Sequence, residues 1–280
     1  MTKQSRQIFK KGSRTYYYSS LFFPKEVKDD IFDLYAFVRV ADDLVDSIPP
    51  KKQEFGAFVQ KYKQAMKTGE PSQDAVIDRF IALVNKHNIP PRWVDSFLAS
   101  MKSDINPVEM KSLDDTLSYM YGSAEVIGLM IAKIVHLPKQ SYRYARLLGR
   151  AMQYANMIRD IDEDTLLGRS YVPKSHREKF GLSGITKSDA IKNREQFEQL
   201  IRHEIAIYQK WQKESEKGFS YIPKRLLIPI KTASDMYKWF TSEIYKHPLI
   251  VFERKVKPSK MRIILTALKN AIASGKCHHV

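Results

Sequence analysis

Apolar residues recur every three or four positions along almost the whole chain, the spacing that gathers them on one face of an α-helix. The pattern predicts helices over Lys25 to Asp46, Lys52 to Thr68, Ser72 to Asn88, Arg92 to Ser103, Leu113 to Val135 and Lys139 to Leu166. Further helices are expected at Ser188 to Lys217, Tyr221 to His247 and Ser259 to Ser274, with Pro223 and Pro229 making the second of these irregular or kinked. Turn signals fall between the periodic segments: Pro49-Pro50, Gly69-Glu70-Pro71, Pro90-Pro91, Asn106-Pro107 and Leu137-Pro138. Ser112-Leu113-Asp114-Asp115 reads as a helix start, and Asp29-Asp30 as acids in an early helix turn. No run alternates as a sheet strand does, and no repeat of about 20–50 residues is present. With short linkers and no shift of composition, one all-α domain over residues 1–280 is expected.

Two segments depart from an ordinary amphipathic pattern. From Ile31 to Val45 the strongly polar residues are Asp33, Arg39, Asp42 and Asp43, and a helix apolar nearly all round is a buried helix. Ala145 to Ile158 repeats this and then runs into Arg159-Asp160-Ile161-Asp162-Glu163-Asp164. Asp42 and Asp46 are four apart, as are Asn156, Asp160 and Asp164, so each set stacks on one helix face. Stacked like charges destabilise a helix and are costly to bury unproductively. Carboxylates with an amide oxygen are hard oxygen donors of the kind Mg²⁺ uses when it is shared with substrate phosphates. Two solvated acidic turns are the plain alternative, and the apolar flanks argue against it.

Composition narrows the class. At 280 residues, with 43% apolar and 11% aromatic residues, the chain can bury a large core. It has no apolar run near the roughly 20 residues of a membrane span. Met1-Thr2-Lys3-Gln4-Ser5-Arg6 lacks the apolar core of a secretory signal, so a soluble cytoplasmic protein is expected. The lone Cys277 excludes an intramolecular disulfide and a cysteine metal cluster, and His278-His279 reads as a loose tail. The net charge of +16 comes from scattered residues such as Lys61, Lys67, Lys102 and Lys133, without a nucleic-acid-binding motif. A solvated basic surface explains most of it, and peripheral attraction to an anionic membrane is the more specific reading. No glycine-rich phosphate loop is present, so a phosphate site here would rely on metals and basic side chains.

Taken together, Tyr35-Ala36-Phe37-Val38-Arg39-Val40-Ala41-Asp42-Asp43-Leu44-Val45-Asp46 and Gln153…Asn156…Arg159-Asp160…Glu163-Asp164 closely resemble the squalene/phytoene synthase family. Gly12-Ser13-Arg14-Thr15-Tyr16-Tyr17, Gly168-Arg169-Ser170-Tyr171-Val172-Pro173, Tyr237 and Phe252-Glu253-Arg254-Lys255-Val256 extend the resemblance in order over nearly the whole chain. The resemblance implies a helical isoprenoid-synthase fold around a central cavity and head-to-head condensation of two prenyl diphosphates. It implies Mg²⁺, or Mn²⁺ in its place, at Asp42, Asp46, Asn156, Asp160 and Asp164. Diphosphate contacts are implied for Ser13, Arg14, Thr15, Arg39, Gln153, Arg159, Tyr171 and Arg254, with Tyr35 and Tyr237 as hydroxyl donors at the reacting groups. Tyr16, Phe22, Tyr119, Ala124 and Gly128 are expected to line the hydrocarbon pocket, with Phe37, Val126 and Leu129 as further candidates. Glu125 stands where relatives usually have glycine, which puts the pocket's shape in question.

The wording of the motifs is most like phytoene synthases, which use two C20 diphosphates and end in proton loss. Squalene or dehydrosqualene synthesis from C15 diphosphates is the alternative, with NADPH needed only for squalene. A catalytically silent homologue that binds a lipid or partner is a third reading, opposed by the intact acidic motifs. Oligomeric state is not legible in these features.

Overall fold

Two long helices that change character from one end to the other organise the molecule, which a computed structural model describes over residues 3–275. The N-terminal part contains α1 (Lys3–Gly12), α2 (Arg14–Ser20), α3 (Lys25–Asp46), α4 (Lys52–Thr68), α5 (Ala75–His87) and α6 (Pro91–Ser103). Next come α7 (Leu113–Met120), a π-helical turn at Tyr121–Glu125, α8 (Val126–Ile134), α9 (Tyr142–Arg159) and α10 (Ile161–Leu166). The rest comprises α11 (Lys174–Lys179), α12 (Lys187–Lys192), α13 (Arg194–Glu216), α14 (Lys224–Lys246) and α15 (Lys260–Gly275). Among the described residues there is no strand, and the all-α expectation holds. Cys277 and His278-His279 lie outside the described residues.

Local chemistry explains where the helices begin and end. The α5 helix starts at Ala75, not Ser72, because the Asp74 carboxylate caps it by accepting from the amides of Val76 and Ile77. Gly69, in the left-handed region at φ 77°, closes α4. Ser112 and Asp115 form the expected capping box of α7. Asp29-Asp30 lies inside α3, where Asp30 accepts from Lys86 at 2.8 Å. Pro229 sits inside α14 and the helix continues through it.

Three predicted elements are interrupted. The helix expected over Leu113 to Val135 passes through the π turn, the one over Ser188 to Lys217 divides at Asn193, and the one over Lys139 to Leu166 breaks at Asp160. At Asp160 the backbone is at φ −101° and ψ 16°, yet the Asp164 amide still donates to the Asp160 carbonyl at 2.8 Å. The four-residue spacing of the two aspartates therefore survives the break. The short helices α1, α2 and α11 carry almost no aliphatic residues, Ile8 being the one among them, so the apolar pattern does not mark them.

The buried side chains form two clusters. One gathers α1 to α6 and α8 around Phe32, Phe37, Phe80 and Phe97, with Phe37 stacked on Phe80 at 3.8 Å between ring centres. The other gathers α9 and the C-terminal helices around Tyr154, Phe197, Tyr208 and Phe240. Tyr16 packs against both, and the space between the clusters is where the site lies.

Candidate active site

Both α3 and α9 end at the same place, a polar basin of about 460 Å³. A helix C-terminus carries partial negative charge from its unsatisfied carbonyls. Here Asp42 and Asp46 add to it on the last turns of α3, and Asp160 and Asp164 at and beyond the end of α9. Asp104, at the C-cap of α6, and Glu163 complete the acidic lining. Against them stand Lys10, Lys11, Arg14, Arg39, Arg159, Arg169, Lys255 and Lys257. Acids of this density facing bases of similar number suit a set of cations and polyanions better than either alone.

The acids fall into two electrostatic classes. Asp160 takes a bidentate pair from Arg159, at 2.8 and 2.7 Å, and a contact from Lys255 at 3.1 Å. Burial would raise its pKa, but these cations outweigh burial and hold it below the usual carboxylate range. Asp42 is pushed up to about 7, first by desolvation and then by Asp46, with Arg39 at 2.9 Å only partly offsetting them. Burial drives Asp164 well above the ordinary range, and the neighbouring Asp160 adds to it. Among the motif acids, those that lack a sufficient protein cation are thus one from each motif, and burial also raises Asp104 between them.

Asn156 carries the same signature in neutral form. Its Oδ1 is buried and has no hydrogen-bond partner. An orphaned amide oxygen beside two under-compensated carboxylates is the donor set of a hard divalent cation, so the residues fit Mg²⁺.

A band of hydroxyls separates the basin from a second, apolar space. Tyr16, Tyr35, Gln153 and Asn156 line both. The Tyr237 hydroxyl donates to Tyr16 Oη at 2.8 Å, and the Tyr16 hydroxyl lies 3.4 Å from Met152 Sδ. Burial raises the pKa of Tyr16, Tyr35 and Tyr237, so all three remain protonated donors.

The apolar cavity, of about 270 Å³, runs along one face of α9 through Ser141, Tyr144, Ala145, Leu148, Gly149, Met152, Gln153 and Asn156. Fifteen residues separate the first from the last of these, which at about 1.5 Å each is roughly 22 Å. Ile31, Leu34, Tyr35 and Val38 of α3 face it from across the cavity, and Ile131, Val135 and Leu137 lie at the end remote from the acids. Close approach of α8 to α9 forms one wall: a Cβ on Gly128 would run into the Ala145 carbonyl, and one on Gly149 into that of Ala124.

Nearly all the expected polar residues meet in the basin: Ser13, Arg14, Thr15, Tyr35, Arg39, Asp42, Asp46, Gln153, Asn156, Arg159, Asp160, Asp164, Tyr171 and Tyr237. Ser13 also caps α2, accepting from the Tyr16 amide at 3.2 Å. Arg254 is a correction. It is exposed and outside the basin, because the turn after Phe252 points its neighbours Lys255 and Lys257 inward instead. Of the expected pocket residues, Tyr16, Ala124 and Gly128 line the cavity. Phe22 does not, and Phe23 takes that place. Tyr119 belongs to the polar side, where its hydroxyl donates to Asp104 at 2.7 Å. Phe37, Val126 and Leu129 are core residues. Glu125 leaves the cavity untouched: it turns away into bonds with Arg146 at 2.8 Å and Arg150 at 2.6 Å. Lys10, Lys11, Asp104, Arg169, Lys255 and Lys257 are site residues that spacing did not reveal, although Arg169 and Lys255 lie inside quoted motifs.

The profile of the family described as squalene/phytoene synthase matches residues 9–262 of this sequence. The chain belongs to that family. It is accordingly an isoprenoid synthase of the head-to-head type, a group that uses Mg²⁺ with prenyl diphosphate substrates. Among relatives, a 15-cis-phytoene synthase of Enterobacter agglomerans is 25% identical, with 96% of this chain aligned to 95% of that one. One from Pantoea ananas is 26% identical over 96% of this chain and 91% of its own length. In fold, the chain is similar to a dehydrosqualene synthase crystallised with a ligand, at a TM-score of 0.81 and 22% identity, covering 97% and 95% of the two chains. A squalene synthase from Alicyclobacillus acidocaldarius superposes at 0.75 with 23% identity, covering 86% of this chain and 92% of that one.

Proposed function

We propose that this chain is a phytoene synthase, joining two geranylgeranyl diphosphates through a cyclopropylcarbinyl diphosphate that is ionised again and loses a proton. The observation that carries the reading is the seam between basin and cavity. Diphosphates in the basin would place their allylic carbons at the tyrosine band and their tails along α9. An extended C20 chain, a zigzag of sixteen main-chain carbons with bonds of about 1.5 Å, is of the same order of length as the roughly 22 Å that α9 offers. The match of names among curated relatives supports the same branch.

In this reading Asp42, Asp46, Asn156, Asp160 and Asp164 would hold Mg²⁺, which would supply neutralisation of the charge on the departing diphosphate. Arg14, Arg39, Arg159, Lys255 and Lys257 bind the diphosphate oxygens, with Ser13, Thr15 and Gln153 as neutral donors. Tyr35, Tyr171 and Tyr237 orient the leaving group through hydroxyls that stay protonated. The apolar walls exclude water, which would otherwise quench the carbocation. No reductant is required, because the last step releases a proton. One domain spanning the chain does this work, since both clusters contribute walls.

The substrates' tails and the hydrocarbon product partition into bilayers, so the protein is expected to work in the cytoplasm in peripheral contact with a membrane. Among the described residues, no helix is long and apolar enough to cross one. The test is a comparison of C15 and C20 diphosphates, each with Mg²⁺ and with or without NADPH. A C40 triene-centred hydrocarbon formed without NADPH is expected. Squalene formed only with NADPH, and no C40 product, would overturn the branch.

A further inference from the structure

The helix α15 has two apolar faces, and among the described residues only one of them is covered. Ile263 and Ala267 are fully buried and Asn270 nearly so, one and then almost two turns apart. Asn270 fastens this face by donating to Asp235 at 3.0 Å and Thr232 at 3.3 Å on α14. The helix packs on α14 and α2. Met261, Leu265, Leu268 and Ile272 repeat at the same helical spacing but are 71%, 58%, 48% and 62% exposed. At 3.6 residues per turn these four fall within one narrow stripe diametrically opposite Ile263 and Asn270. A buried face this well anchored leaves the stripe no option but to point outward.

An apolar ridge four residues long is not the ordinary scatter of single exposed side chains. What flanks it identifies the occupant. Lys260, Arg262 and Lys269 are exposed, and α15 contains no acidic residue. Two of these cations also stand on aromatic rings, Arg262 at 4.4 Å from Trp239 and Lys260 at 5.4 Å from Tyr18. Apolar residues on one face with lysine and arginine beside them, and no carboxylate, are the signature of a helix lying in the plane of an anionic bilayer surface. A second protein would need a complementary acidic, apolar groove, and the chain's +16 charge opposes pairing with a second copy.

The position is also apt. The two helices beneath α15 are walls of the apolar cavity: Tyr16, Ser19 and Ser20 come from α2, and Pro229, Ile230 and Ala233 from α14. We propose that the Met261–Leu265–Leu268–Ile272 ridge of α15 is the membrane-docking surface, seating the cavity's outer wall on an anionic lipid bilayer. This deepens the reading of the chain as a maker of membrane-soluble hydrocarbon and rests on it for its purpose, but not for its geometry.

The test is co-sedimentation of the full-length protein with phosphatidylcholine vesicles, with and without phosphatidylglycerol, for wild type, Leu265→Ser with Leu268→Ser, and Arg262→Gln with Lys269→Gln. Circular dichroism melting establishes that each variant is folded, and sedimentation velocity reports its association state. The serine pair should weaken binding to anionic vesicles by roughly tenfold or more while turnover of detergent-dispersed C20 diphosphate is unchanged. The glutamine pair should reduce binding to anionic vesicles and leave the weak binding to neutral ones alone. Lys61→Glu with Lys67→Glu, distant in sequence from the ridge, should change vesicle binding less than either. Unchanged vesicle binding by the folded serine pair would overturn the docking surface, as would a wild-type dimer that the serine pair converts to monomer without loss of lipid binding. Vesicle binding through the ridge by a protein that makes no hydrocarbon would leave docking standing and overturn the synthase reading instead.

Discussion

Arg169 ion-pairs with Asp46, 123 positions earlier in the chain, and so closes the C-terminal end of α3 with a residue from the loop beyond α10. The same guanidinium donates to the carbonyls of Val45 at 2.9 Å and Asp104 at 3.0 Å. It therefore satisfies the end of one helix, the end of another, and an acid of the first motif together. Its side chain is 5% exposed, which makes it the best-buried cation of the basin.

Removing that cation leaves two carbonyls and a carboxylate without their partner. Arg169→Ala should cost about 3 kcal/mol or more of stability, seen as a lower denaturation midpoint in urea. Arg169→Lys keeps the charge but not the fork, and should recover only part of the loss. A lysine variant as stable as wild type would mean that charge alone, and not the geometry of the three contacts, matters there.

Asp42 gives the pH dependence. Its carboxyl is pushed up to about 7 in the folded protein, against about 4 when unfolded. The stability associated with its protonated form is in place below about pH 4 and is lost as pH rises through about 7. Metal-free Asp42→Asn should consequently melt higher than wild type at pH 8, with the gap closing toward pH 5. Mg²⁺ should raise the melting temperature of wild type at pH 8 and do much less for the variant, which should have lost nearly all turnover. Equal responses to Mg²⁺ would remove Asp42 from the metal site.

The exchange of Arg254 for Lys255 is checkable by substitution. Lys255 contacts Asp160 at 3.1 Å and lines the basin, whereas Arg254 is exposed. Lys255→Ala should lower turnover by about a hundredfold, the low end of the range for loss of a charge-stabilising donor. Arg254→Ala should stay within about twofold of wild type. The reverse order in steady-state assays would restore the expectation drawn from the motif.

Much of this was legible before the structure. The periodicity placed α3 and α4 at their observed ends, and the two acidic motifs at four-residue spacing met across the basin. What was not legible has physical causes. Arg254 and Lys255 are adjacent cations, and only the direction of the turn after Phe252 decides which faces inward. Asp104 and Arg169 join the site through tertiary contacts that leave no period. Phe37 lies on a helix apolar nearly all round, whose pattern does not reveal which face meets the cavity and which the core, and Phe22 lies in the turn between α2 and α3, where no period decides between it and Phe23. Glu125 puts the pocket's shape in question from sequence alone; its two arginine partners on α9 draw it away.

Chain length should respond at the remote end of the cavity. Ile131→Trp or Val135→Phe adds bulk where the far end of a C20 tail would lie, and should shift preference toward C15 diphosphates at little cost to stability beyond about 1–3 kcal/mol. Gly128→Phe should fail differently, by unfolding, because its Cβ has no room beside Ala145. The check is the product distribution by mass spectrometry together with the melting temperature. Unaltered selectivity in a folded Val135→Phe protein would mean that the tail does not reach that end.

Two C20 diphosphates, ionised between the paired acidic motifs without a reductant, are the proposed substrates. The decisive measurement is incubation of pure protein with labelled geranylgeranyl diphosphate and Mg²⁺, without NADPH, with Asp160→Ala assayed beside wild type. Phytoene is expected, with two diphosphates released per molecule formed, and both should be abolished by chelation of Mg²⁺ and by the substitution. Intact substrate after prolonged incubation of the folded wild type, or equal product from Asp160→Ala, would rule out this chemistry at the acidic motifs.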